Sequence, residues 1–188
     1  MKQQNDEIPD GYARVTEVLA PFCNFDHIDP KTLANAADRG TRVHDYCELH
    51  ALGLFLPELD ADCKNYVEAF KEWFDLMVTD VLETETRLNS PTYRVSGKFD
   101  MLVKLKGDEG LTIVDLKTPA SPALSWQLQT AAYRLLLKEC KGIPADRRIS
   151  LMLPKHPGGL VKVCEYTDHE KDEALYIKAI ELFRFFNG

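Results

Sequence analysis

The stretch YRVSGKFDMLVKLKGDEGLTIVDLK, residues 93–117, decides the reading of the fold. Val95, Phe99, Leu102 and Val103 mark a strand over 93–105. Gly107-Asp108-Glu109-Gly110 supplies a turn, and LTIVDL at 111–116 reads as a second strand. Immediately upstream, residues 81–88 alternate crudely and end at Asn89-Ser90-Pro91, which carries turn chemistry. Three adjacent strands joined by short turns predict an antiparallel meander.

Working outward, the chain begins with a polar arm over residues 1–12, followed by helical turns at 13–20 and 30–38 around Pro21 and Pro30. A longer helix is expected at 38–52. Another at 60–79 places Tyr66, Val67, Phe70, Trp73, Phe74 and Met77 on one apolar stripe, the mark of a core-facing helix. After the meander come a helix at 122–140, strands near 148–153 and 160–166, and a last helix to Phe186 opened by the capping-box pattern Thr167-x-x-Glu170. Helices, three strands, a helix, two strands and a helix make an α/β chain with a mixed central sheet flanked by helices, expected as a single domain over 13–188.

The composition narrows the function classes. The chain has 188 residues, 45% hydrophobic and 28% charged, with a net charge of -7. That balance excludes a wholly disordered chain, and no apolar run approaches the ~20 residues of a membrane span. The opening segment has no apolar core of a secretory signal, so a cytoplasmic protein is expected. Cys23, Cys47, Cys63, Cys140 and Cys164 are odd in number and form no Cys-x-x-Cys pair, which argues for reduced packing residues. The acidic balance speaks mildly against nucleic acid. Yet between Arg134 and Lys162 seven basic residues face only Glu139 and Asp146, so a locally basic face on an acidic protein is expected there.

The residues that carry chemistry lie in the opening stretch. Asp100 and Asp115 both sit among apolar neighbours on strands, where an ionised carboxylate is costly without a charged partner or a metal. Residues i and i+2 of a strand share a face, so Asp115 and Lys117 project together while Leu116 faces the other layer. The spacing from 100 to 115 suits a hairpin that sets the acids side by side, and such oxygen-rich sites suit Mg²⁺ or Mn²⁺. The bland reading is a surface Asp115–Lys117 pair worth ~0.5 kcal/mol. Gly97, three residues before Asp100, offers a place where another backbone could approach closely. Upstream, Arg39-Gly40-Thr41-Arg42-Val43-His44 enters a helix. Downstream, Gln129 and Tyr133 stand one helical turn apart.

In order, G-T-x-x-H, G-x-x-D, D-x-K and Q-x-x-x-Y resemble the RecB-like branch of the PD-(D/E)XK nuclease superfamily, and VTEVLAPF at 15–22 is similar to its phage, bacterial and mitochondrial exonuclease domains. The resemblance spans roughly residues 14–165 and implies a restriction-endonuclease-like αβββαβ core. It implies a metal-dependent deoxyribonuclease, most readily an exonuclease acting on DNA ends or single strands in recombination, repair or phage DNA processing. By the same resemblance His44, Asp100, Asp115 and the Leu116 carbonyl would hold one or two Mg²⁺ or Mn²⁺ ions, and Lys117 would serve the attacking water. Gln129 and Tyr133 would touch the substrate strand, and the basic segment, with Arg147 and Arg148, could hold its backbone. Glu48, Glu83 and Glu85 are reserve ligands. Some relatives carry four cysteines for an iron–sulfur cluster. The cysteines here do not match that pattern, and no cluster is expected. No phosphate-binding loop or helicase motif is present, so unwinding would fall to a helicase or recombinase partner. Two other readings stay open: a catalytically weak nucleic-acid-binding or assembly subunit, and an acidic regulatory domain that binds protein.

Overall fold

The computed structural model describes residues 7–23 and 28–187. The first six residues of the expected arm lie outside the described residues. Its remainder runs to a dipeptide strand, β1 (Ala13–Arg14), and a short helix, α1 (Val15–Leu19). Glu17 caps α1 by accepting the Arg14 N–H at 2.8 Å. A 3₁₀ turn at Ala20–Phe22 follows. Then come α2 (Pro30–Ala51), α3 (Lys64–Met77), β2 (Val78–Ser90), β3 (Val95–Leu105), β4 (Thr112–Lys117), α4 (Ser125–Lys141), β5 (Arg147–Met152), β6 (Lys162–Glu165) and α5 (His169–Asn187).

The structure corrects the reading upstream of the meander. The separate helices expected at 30–38 and 38–52 are one helix. Asp29 caps it through the Thr32 N–H at 2.9 Å with Pro30 in its first turn, and Gly40 passes through its interior. Residues 13–14 pair as a strand instead of starting a helix, because the β3 edge beside them has backbone groups to satisfy.

β3 organises the sheet. β2 runs antiparallel along one of its edges. Its other edge is shared: β1 pairs parallel at Val95–Ser96, and β4 pairs antiparallel at Met101–Val103. Residues 97–100 lie in the gap between these two partners. β5 then pairs parallel with β4 across the α4 crossover, and β6 closes that side antiparallel. The expected meander and mixed sheet flanked by helices are therefore present, in the restriction-endonuclease-like arrangement.

The two faces of the sheet bury separate cores. On one face α1, α4 and α5 pack Val15, Leu136, Leu137 and Tyr176 against Phe99, Leu102 and Ile113. On the other, α2 and α3 pack Val43, Tyr66, Val67 and Phe70 against Met101, Val103, Val114 and Leu116. Phe99 and Met101 are two residues apart and would share a face of a regular strand. They enter opposite cores, so β3 turns over at Asp100.

Candidate active site

The turnover at Asp100 follows from broken pairing on both sides. The β3–β4 register stops at Met101↔Val114, and its next step would set Asp100 opposite Asp115. There the backbone ladder gives way, and Asp100 Oδ2 accepts the Leu116 N–H at 2.5 Å. Its other oxygen, Oδ1, lies 3.1 Å from His44 Nδ1, on the inward side of α2. Asp100 thus bridges a helix packed on one face of the sheet and the strand beside it. Gly97 makes the gap possible: a Cβ there would lie 2.7 Å from Leu136 Cδ1, 3.0 Å from Val15 Cγ2 and 3.2 Å from Tyr133 Cδ1. The glycine lets α1 and α4 close onto the edge of β3.

Asp115, 2% exposed, points toward α4, and the alternation expected of it holds, since Leu116 enters the opposite core. Asp115 Oδ2 lies 2.8 Å from Lys117 Nζ and accepts the Ser150 hydroxyl at 3.3 Å from β5. Lys117 Nζ also donates to Gln129 Oε1 at 3.0 Å, and Gln129 Nε2 donates to the Tyr133 oxygen at 2.8 Å. Gln129 and Tyr133 therefore brace the lysine in a chain that starts at Asp115. The Trp126 ring lies 5.7 Å from the same ammonium.

Burial dominates the electrostatics. It pushes Asp115 above the usual carboxylate range, aided by neighbouring Asp100 and opposed by Lys117. Burial works in the same direction on Asp100, but His44, Lys117 and the Leu116 N–H outweigh it and hold that acid low. His44 is itself disfavoured as a cation by burial, yet Asp100 carries its pKa up to about 9. Tyr133 is pushed well above its ordinary value by burial and Asp115, and stays a neutral phenol.

Of the reserve acids, Glu85 joins the cluster: ligand atoms of His44, Glu85 and Asp100 all lie within 4.8 Å of one another. Glu48 accepts the Thr84 hydroxyl at 2.9 Å, and Glu83 pairs with Lys141 at 2.5 Å. One imidazole with the Glu85 and Asp100 carboxylates is a donor set suited to a hard divalent cation, and Asp115, outside that group, acts on the Asp100 charge from the neighbouring strand. A second acidic group, Asp60, Asp62 and Cys63, is already filled by the Arg42 guanidinium, which bonds Asp60 at 2.7 Å and Asp62 at 2.9 Å.

The expected basic face is corrected at Arg148, while Lys138, Lys155 and Lys162 of the same segment stay exposed. Arg148 is fully buried and cannot hold a DNA backbone. It donates to His169 Nδ1 at 2.9 Å, the Gln127 carbonyl at 3.0 Å and Asp172 Oδ2 at 2.6 Å. Arg147 is bound by Glu165 and Asp108, Arg134 by Glu173 and Lys141 by Glu83. Arg147 pairs in register with Thr112, three residues and about 10 Å along the sheet from Asp115. Acids distant in sequence neutralise these cations, and only the fold brings them together. Sequence reasoning also missed Ser150, Thr84 and Lys98, which carry no motif of their own.

The profile of the PD-(D/E)XK nuclease superfamily matches residues 29–179. Among solved structures, a candidate exonuclease from Eubacterium rectale superposes with a TM-score of 0.56 at 13% identity, covering 91% of this chain and 77% of that one. The protein SSO0001 superposes with a TM-score of 0.52 at 13% identity, covering 97% and 79%. At such identities the likeness is one of fold. No curated protein matches the chain.

Proposed function

Because the chain belongs to the PD-(D/E)XK nuclease superfamily, we propose that it is a divalent-metal-dependent deoxyribonuclease, an exonuclease acting on DNA ends or single strands. The observation that carries this reading is the notch at the end of the β3–β4 ladder, where Asp100, Asp115 and Lys117 converge beside His44. His44, Asp100, Asp115 and the Leu116 carbonyl are the groups that would hold Mg²⁺ or Mn²⁺. A cation bound there supplies charge that makes a water nucleophilic near neutral pH and offsets the charge growing on the phosphate.

The protein's own part is positioning. Asp115 and Gln129 fix the Lys117 ammonium from two sides, so that it can orient the attacking water and add a fixed positive charge beside the phosphate. Ser150 holds Asp115, and Tyr133 holds Gln129, so the lysine arrives already in place. A groove of about 260 Å³ opens beside this chain of contacts, lined among others by Arg14, Thr16, Arg87, Ser96, Lys98 and Tyr133. Arg14 and Lys98, paired with Glu17 and Glu85, and Arg87, bonded to Ser96, give it a positive lining that suits a nucleic-acid backbone lying next to the notch. The groove takes over the role first expected of Arg147 and Arg148.

A second reading, an acidic regulatory domain that binds a protein partner, draws on the net charge of -7 and on the internal pairing of Arg147 and Arg148. One experiment separates the two. End-labelled linear and circular DNA, single- and double-stranded, is incubated with Mg²⁺, with Mn²⁺ and with EDTA. Release of label from linear DNA only with metal, with circles left intact, is the expected result. Neither binding nor cleavage selects the second reading, and binding without cleavage leaves a catalytically weak nucleic-acid-binding subunit. Cleavage that persists in Asp115→Asn or in EDTA removes the site assignment.

A further inference from the structure

We propose that Glu85 is an additional cation-ligating carboxylate of this notch, and that its ion pair with Lys98 is the resting arrangement a divalent cation displaces. The inference rests on the reading of the notch as a metal site.

The β2–β3 register carries it. Thr84↔Met101 and Thr86↔Phe99 are paired, and the position between them, Glu85 opposite Asp100, is not. Extended across both neighbours of β3, the registers set Glu85, Asp100 and Asp115 in one row over three strands. The ladder fails on both sides of Asp100, and Glu85 is where the β2 side fails. Its φ is +43°, a left-handed backbone that residues with a side chain seldom adopt. The Glu85–Lys98 pair, 2.6 Å long, does not require this distortion. Lys98 is a diagonal neighbour of Glu85 in the same register, and such neighbours reach each other across a regular sheet. The left-handed turn instead accompanies a placement that Lys98 does not explain: a Glu85 oxygen within 4.8 Å of the facing His44 and Asp100 atoms. Lys98 also lines the basic groove, so a lysine released from Glu85 stays beside the substrate backbone.

The two partners are expected to act in opposite directions on metal affinity, which a purely structural ion pair would not do. The test is calorimetric titration of Mn²⁺ into the metal-free full chain. Glu85→Gln should weaken binding about tenfold or more, on the scale of losses seen when groups around a metal are removed. Lys98→Met should tighten it several-fold by freeing the carboxylate, and Glu48→Gln should leave it unchanged. If Glu85→Gln does not fold, Glu85→Gly, which suits the left-handed backbone, replaces it in the same titration. Wild-type affinity in the Glu85 variant, or no tightening in Lys98→Met, overturns the inference. Asp115→Asn separates the two failures. Wild-type binding lost in Asp115→Asn but kept in Glu85→Gln sinks only the role of Glu85. Absence of Mn²⁺ binding in the wild type sinks the metal-site reading along with it.

Discussion

Two clusters of buried charge meet α4, and they are built differently. Around Arg148 every guanidinium nitrogen has an acceptor: His169, Gln127 and Asp172 surround the group, and Gln127 Nε2 donates a further hydrogen bond to Asp172 at 2.7 Å. Both members of the Arg148–Asp172 pair are fully buried. At the notch, Glu85, Asp100 and Asp115 face Lys98, His44 and Lys117, with 35% of the Lys98 and 28% of the His44 side chain exposed, and burial pushes Asp115 and Glu85 upward instead of settling them. A buried charge whose partners are complete holds elements together. A charge pair with one member at the surface can be opened by a ligand. Both clusters use strand and helix residues in the same fold, so enclosure, and not the count of charges, distinguishes them.

The largest effect should come from the notch and leave stability alone. Asp115→Asn is expected to lower nuclease activity by about 10⁴-fold, ~5.5 kcal/mol of barrier, because it removes both a ligand of the cation and the acid that fixes Lys117. In the metal-free protein the same change should not lower the melting temperature. The folded pKa of Asp115 is raised, so its ionisation costs stability above the unfolded value of ~3.9, and a neutral amide escapes that cost. A melting temperature that falls with the activity would make Asp115 a structural residue like those around Arg148.

The opposite pattern is expected from Asp172→Ala. Removing one partner leaves a buried guanidinium uncompensated, at about 4 kcal/mol. Denaturant unfolding should show that loss while the specific activity of the remaining folded protein, with Mg²⁺, is close to wild type. Activity lost in proportion to Asp115→Asn would join the two clusters into one functional unit. Gly97→Ala should fall between them at about 2 kcal/mol, because the added methyl is forced against Leu136 and Tyr133 in a filled core. It should cost activity as well as stability, since the same displacement moves Tyr133, the brace of Gln129 and Lys117. A stable variant with full activity would remove Gly97 from the construction of the site.

The notch was legible in the sequence and the cluster around Arg148 was not, for a physical reason. Asp115, Leu116 and Lys117 lie within one strand, whose alternation fixes their faces, and a short hairpin brings Asp100 beside them. Local geometry alone therefore foretells the meeting of these groups. His44 and Gln129 needed the family resemblance, because nothing local says which way a helix faces. Arg148 read as a surface cation because its partners, Gln127, His169 and Asp172, stand 21, 21 and 24 residues away on two helices. Glu85 was one reserve among three, since neither a broken ladder pair nor a left-handed φ leaves a trace in a residue type that ordinary strands also carry.

The smallest effect belongs to the edge of the cluster around Arg148 and tests whether its hydrogen bonds have the direction assigned to them. His169 Nδ1 accepts from Arg148 Nε, and His169 Nε2 lies 3.0 Å from the Asp146 carbonyl oxygen, to which only an N–H can donate. Both contacts are met by one neutral tautomer, and a proton on Nδ1 would face a guanidinium. Burial first, and then Arg148 and Arg134, accordingly lower the His169 pKa. A histidine depressed in the folded state contributes stability that is present above its unfolded value of ~6.5 and lost as pH falls through the folded one. The wild type should therefore lose melting temperature between pH 7 and pH 5 more steeply than His169→Gln, although the variant starts lower for want of one of the two contacts. An NMR titration of the His169 ring should give a midpoint below 6.5. A midpoint at or above that value, or parallel melting curves for the two proteins, would mean that the imidazole is charged beside Arg148 and that the cluster is not balanced as its geometry states.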